Sequence, residues 1–163
     1  TITVASGGTG VPTASANTVF AGPTSGGAAA PAFRSLVAND LPITISSGTY
    51  TPTFTNSFNV TTNTSGVWQY MRVGDVVTVS GRITLTPTVA AATYTAVDFP
   101  LPIASPGMST GGNVAGTAVS IGNLLVGDTA LIQRNSTWAT MEYLSNNNTS
   151  EIFQAHFTYR VIP

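Results

Sequence analysis

The chain contains no cysteine and no lysine, a single histidine, and charged residues at only 7% of its 163 positions. Each absence removes a class of explanation. Without cysteine there is no disulfide to brace the fold and no thiolate to hold a metal, so stability has to come from packing and association. The five positive charges, Arg34, Arg72, Arg82, Arg134 and Arg160, are scattered, and six acids bring the formal net charge to −1. Nucleic acid is held by clustered Lys and Arg that release counterions, so no nucleic-acid partner is expected. No apolar run approaches the ~18 residues that cross a bilayer, and no basic stretch followed by an apolar one marks the N-terminus. Membrane insertion is not expected. Starting on Thr1, the sequence reads as a piece or processed product of a longer polypeptide.

What the chain does have is 42% hydrophobic residues, enough for one core, and an abundance of Thr, Ser, Asn and Gly. Residues 1–47 differ from the rest. The stretches Ala5 to Pro12 and Gly22 to Pro31 are rich in Gly, Pro, Ser and Ala, the chemistry of turns and linkers. The few apolar anchors are Val19, Phe20, Phe33, Leu36, Val37 and Leu41. An extended stalk or linker is expected here, with one short helix over Ala32 to Val37 before the stop at Pro42.

Residues 48–163 carry a period of two. Val77, Val79, Ile83 and Leu85 fall on one face of a strand, while Thr78, Ser80, Arg82, Thr84 and Thr86 fall on the other. The preceding run Val67 to Val73 joins it through Gly74-Asp75, which predicts a hairpin. Near the C-terminus Phe153, Ala155, Phe157, Tyr159 and Val161 alternate with Gln154, His156, Thr158 and Arg160. Shorter strands are expected near 50–55, 93–99, 114–121, 129–133 and 136–143. Turns at Ser105-Pro106-Gly107, Thr110 to Asn113, Gly127-Asp128 and Ser145 to Asn148 separate them. Many short strands without helices predict an all-β protein, with a C-terminal β-sandwich or jelly-roll head over 48–163.

Chemistry is sparse. His156 is placed on the polar face of the last strand, and Asp40, Asp75, Asp98, Asp128, Glu142 and Glu151 are isolated in sequence. No catalytic residue, metal site or cofactor is expected. Sequons such as Asn59-Val60-Thr61 are what chance supplies in a chain so rich in Asn and Thr. Binding offers a better lead. Trp138 and Glu142 share a strand face and precede the loop Asn146, Asn147, Asn148. An indole stacks on the apolar face of a pyranose while carboxylate and amide groups take its hydroxyls. The same indole would serve equally in a core or a subunit interface, and Trp68 in the hairpin is read as core.

The segment from Asn17 to Pro42, with its order Phe20-Ala21-Gly22-Pro23 and Pro31-Ala32-Phe33-Arg34, resembles a module of tail-fibre and related structural proteins of tailed bacteriophages. Gly48 to Thr53, Gln69 to Gly81 and Leu101 to Ser105 resemble the β-rich terminal domain that often follows it. The resemblance implies a homotrimeric fibre or receptor-binding tip on the virion. Its partners would be other tail proteins and a glycan or protein of the host cell surface. No receptor-contact motif carries over. Strand faces rich in Thr and poor in charge suit subunit packing, because they cost little to desolvate. A purely structural virion component, such as a head fibre, decoration protein or connector, is the alternative.

Overall fold

Alternation along the longer strands sets the architecture. The computed structural model of the chain describes residues 13–89, 92–108, 114–122, 129–135 and 138–163. The stretch Ala5 to Pro12 and the turns at Thr110 to Asn113 and Gly127-Asp128 lie outside the described residues. The protein is all-β, every strand pairing is antiparallel, and no α-helix occurs among the described residues. Two compact units divide the chain, Thr1–Thr44 and Ile45–Pro163.

In the first unit, β1 (Thr18–Ala21) pairs with β2 (Ala32–Ser35), and Phe20 meets Phe33 across the pair with ring centroids 5.2 Å apart. The helix expected over Ala32 to Val37 does not form. Its first four residues are β2, and a single 3-10 turn follows at Ala38–Asp40. Six residues are too few to nucleate a helix without tertiary support, whereas the strand gains a partner and a clamp. Arg34 donates from Nε to the Gly22 carbonyl at 2.6 Å, and its two terminal nitrogens grip both Asp40 oxygens at 2.7 and 2.6 Å. The Val37 N–H adds a third bond to Asp40 at 2.9 Å.

Among the described residues the second unit is one ten-stranded sheet. Its elements are β3 (Ile45–Tyr50), β4 (Thr55–Phe58), β5 (Val60–Ser65), β6 (Trp68–Val73), β7 (Val76–Pro87) and β8 (Thr93–Pro100). They continue as β9 (Val114–Ser120), β10 (Thr129–Asn135), β11 (Trp138–Ser145) and β12 (Glu151–Arg160). The order is β3-β6-β7-β12-β9-β10-β11-β8-β4, with β5 sharing the β7 edge beside β6. The expected hairpin forms as β6–β7, turning at Gly74 with φ +61, where glycine tolerates what other residues resist. The strand expected over 50–55 is instead the end of β3 and the start of β4. Pro52 lies between them and lacks the N–H a ladder needs.

The sheet curls until its inner faces meet. Trp68 of β6 packs on Phe99 of β8 at 5.3 Å and on Phe157 of β12 at 6.3 Å, although β6 and β8 lie far apart in strand order. Val77, Val79, Ile83 and Leu85 are buried on the inner face, as are Phe153, Ala155, Phe157 and Tyr159. Trp68 is wholly buried, as its sequence context predicts. Asn59 alone separates β4, which pairs with β8, from β5, which pairs with β7. One bend therefore carries the chain between the two sides of the curl. Ser105 tethers the C-terminal run: its hydroxyl donates to the Arg160 carbonyl at 3.0 Å and accepts the Ile162 N–H at 2.7 Å.

Candidate functional site

On β11 the residues Ala139, Met141, Tyr143 and Ser145 are buried in the curl, so Trp138, Thr140, Glu142 and Leu144 face away from it. Neighbouring strands add to this outer face. Trp138 stands opposite Pro100 of β8, Thr140 opposite Asp98, Glu142 opposite Ala96, and Leu144 opposite Tyr94. On the other side Leu131 and Gln133 of β10 lie against Glu142 and Thr140.

Trp138 is half-buried and forms one wall of a cleft of about 300 Å³, with Pro100, Leu101, Ala104, Ser105 and Pro106 as the rest of its lining. The walls are largely apolar, and the hydroxyl of Ser105 is engaged with the C-terminal run. Proline rings and an indole hold such a cleft open because neither collapses by rotation about several torsions. The segment after β8 is anchored from behind, where the Tyr159 hydroxyl donates to the Ile103 carbonyl at 2.8 Å and accepts the Ile103 N–H at 3.0 Å.

Glu142 occupies a different hollow of about 230 Å³, lined by Tyr94, Thr129, Leu131, Tyr143 and Leu144. Its carboxylate accepts from the Gln133 amide. Burial, and then the hydrogen bond to Glu142, raise the Tyr94 phenol above its ordinary value. Glu142 lies four steps along β11 from Trp138, roughly 13 Å at about 3.3 Å per step. The two side chains thus share a face but not a site.

The asparagine loop lies beyond the far end of β11. Asn147 closes the turn on itself, accepting from the Thr149 N–H at 2.9 Å and hydroxyl at 2.7 Å and donating to Glu151. Asn146 and Asn148 are exposed. Of the five candidates read from the sequence, Trp138 and Glu142 line hollows, about 300 and 230 Å³, and the one at Trp138 has the more apolar walls. The sequence missed the lining supplied by Pro100, Leu101 and Pro106. A Pro-rich run between strands was the available signal.

The sheet does bring two acids to one face, since Asp98 and Glu142 are diagonal neighbours across β8 and β11. Asp98 is only 6% exposed, and one of its oxygens accepts the Thr140 hydroxyl at 2.6 Å. His156 is exposed on the outer face of β12, opposite Ser80. Among the described residues no three His, Asp or Glu side chains gather as a metal site. Asn59, within a sequon, turns its amide inward to Thr95 and Ser145. Comparison with family models, curated proteins and solved structures found no match.

Proposed function

We propose that the chain is a non-catalytic adhesive module, with unit Ile45–Pro163 as a sandwich-like binding head and the Gly/Pro/Ala-rich residues before it as a stalk. More particularly, it is a receptor-binding or tail-fibre module of a tailed phage. It is homotrimeric and carried on the virion, and it attaches to a host-surface glycan. The observation that carries this reading is the half-buried Trp138 in its apolar cleft on the outer face of the sheet. An indole edge-framed by prolines offers the flat apolar surface on which a pyranose stacks. The resemblance of Asn17 to Pro42 to a fibre module supports the placement on a virion, and the low charge of the strand faces supports association.

The test is competition. The intact chain should block adsorption of phage to its host, and Trp138→Ala should lose that ability while keeping its melting temperature. Light scattering that returns a 16.7 kDa species would remove the trimer.

A second reading, a structural virion component without a receptor, is favoured by one observation. Phe58, Tyr94, Leu131 and Leu144 are all exposed, and the strands that carry them, β4, β8, β10 and β11, are neighbours in the sheet. Such a row suits a subunit contact. Failure of a trimeric chain to compete for adsorption selects this reading.

A further inference from the structure

β5 and β6 share one edge of β7, and the chain passes between them at Gly66-Val67. The hand-over leaves a notch of about 230 Å³ on the outer face, lined by Val67, Gln69, Ser80, Gly81, Arg82 and Gln154. Register fixes the arrangement: Gln69 lies opposite Ser80, Arg82 opposite Gln154, and Ser80 opposite His156. Directly opposed side chains start about 5 Å apart, and successive ones on the same face about 7 Å. The polar groups therefore frame an area the size of one sugar ring.

The backbone of this corner is held firmly. The Arg82 carbonyl accepts the Gly66 N–H at 3.2 Å and the indole N–H of buried Trp68 at 3.0 Å. Its guanidinium, by contrast, has no acid among the described residues. Among the described residues the ion pairs are Arg34–Asp40 and Arg72–Asp75, neither of them here. The outer faces of β6, β7, β12 and β9 carry no carboxylate, and Glu151 of β12 is buried on the inner side. In a chain with 7% charge, a guanidinium sharing a notch with two amides and a hydroxyl is an unusual concentration of donors.

We infer that this notch binds the carboxylate of an acidic sugar, with Arg82 gripping the carboxylate and Gln69, Ser80 and Gln154 taking ring hydroxyls. A guanidinium presents paired N–H donors that match a carboxylate in two parallel bonds. Amides and a hydroxyl suit the several spaced hydroxyl groups of a sugar ring, which a compact phosphate ion does not present. Trp138 and its cleft play no part in this site. The source of the ligand, a host-surface glycan, rests on the adhesive reading; the affinity for a sugar carboxylate does not.

The intact chain is titrated by calorimetry with a glucuronate-containing oligosaccharide, its neutral glucose counterpart and inorganic phosphate. The expected result is at least tenfold tighter binding of the acidic oligosaccharide than of either other probe. Arg82→Gln and Gln154→Ala should each weaken it, the former at least tenfold, without a change in melting temperature. Equal binding of the neutral sugar or of phosphate, or indifference to Arg82→Gln, overturns the inference. Host-cell binding separates the two proposals. Host cells bound by a chain that calorimetry finds indifferent to the acidic oligosaccharide sink the notch and leave the adhesive reading standing. Acidic sugar bound through Arg82 by a chain that ignores host cells does the reverse.

Discussion

The side-chain amide of Asn59 donates to the hydroxyl of Thr95 at 2.7 Å and approaches that of Ser145 at 3.2 Å, while its oxygen accepts the Val89 N–H at 2.9 Å. Its backbone sits at φ +56, in the left-handed region. Both features meet at the one residue that separates β4 from β5. Asn59→Ala loses the bonds and meets backbone strain, and should cost about 3 kcal/mol. Asn59→Gly loses only the bonds and should be milder by about 1 kcal/mol. Denaturant unfolding of the two variants checks the order; a reversed order would remove the backbone argument.

Gly81 faces the indole of Trp68, and a Cβ at that position would overlap the ring. Gly81→Ala should therefore destabilise by about 3 kcal/mol through overpacking. Trp68→Phe makes room but abandons the bond to the Arg82 carbonyl. Combining it with Gly81→Ala should recover part of the loss, a non-additivity that a double-mutant cycle measures.

Acid should loosen the first unit. The hydrogen bond with Arg34, then that from the Val37 N–H, hold the Asp40 carboxyl down at about 2, against an ordinary 3.8. Because the folded value is the lower one, the contribution is complete above pH 4 and is lost as pH falls through about 2. NMR of the Val37 amide and the Phe33 ring should report the change in that window. Asp40→Asn should reproduce it at neutral pH, and resonances unmoved in both cases would count against the clamp.

Alkali acts on the second unit. Burial is the main cause that raises the Tyr159 phenol to about 12, and burial followed by the charge of Tyr159 raises Tyr50 as well. A raised folded value favours the neutral phenol, so its contribution is present below pH 10 and fades as pH climbs toward 12. Melting temperature should fall across that range. Phenolate absorbance should rise late, with part of it coinciding with unfolding.

Much of the sheet was legible because burial imposes a period of two. Val77 to Leu85 and Phe153 to Tyr159 declare their inner faces without knowledge of a partner. β5 escaped notice because its residues, Val60 to Ser65, are mostly exposed and nearly uniformly polar, so no alternation marks them. β2 was read as helix because Ala32 to Val37 carries no signal of the β1 partner or of the Arg34 clamp, both set by tertiary contact. The site suffered similarly. Trp138 could be picked as an outward indole, but the prolines that shape its cleft come from another strand and its following loop. The grouping of Trp138 with Glu142 and the asparagines treated sequence proximity as spatial proximity, which a strand stretches out.

β12 lies between β7 and β9 and is the seam that joins the β3-β6-β7 flank to the β9-β10-β11-β8-β4 flank. Both flanks precede it in the sequence, so an emerging polypeptide makes them first and leaves them without their shared strand until that segment arrives. During that interval the edges of β7 and β9 stand open to any strand of matching pattern, including one from a neighbouring copy. Synthesis of this protein in crowded conditions should accordingly favour exchanged or tangled products whenever translation pauses before Glu151.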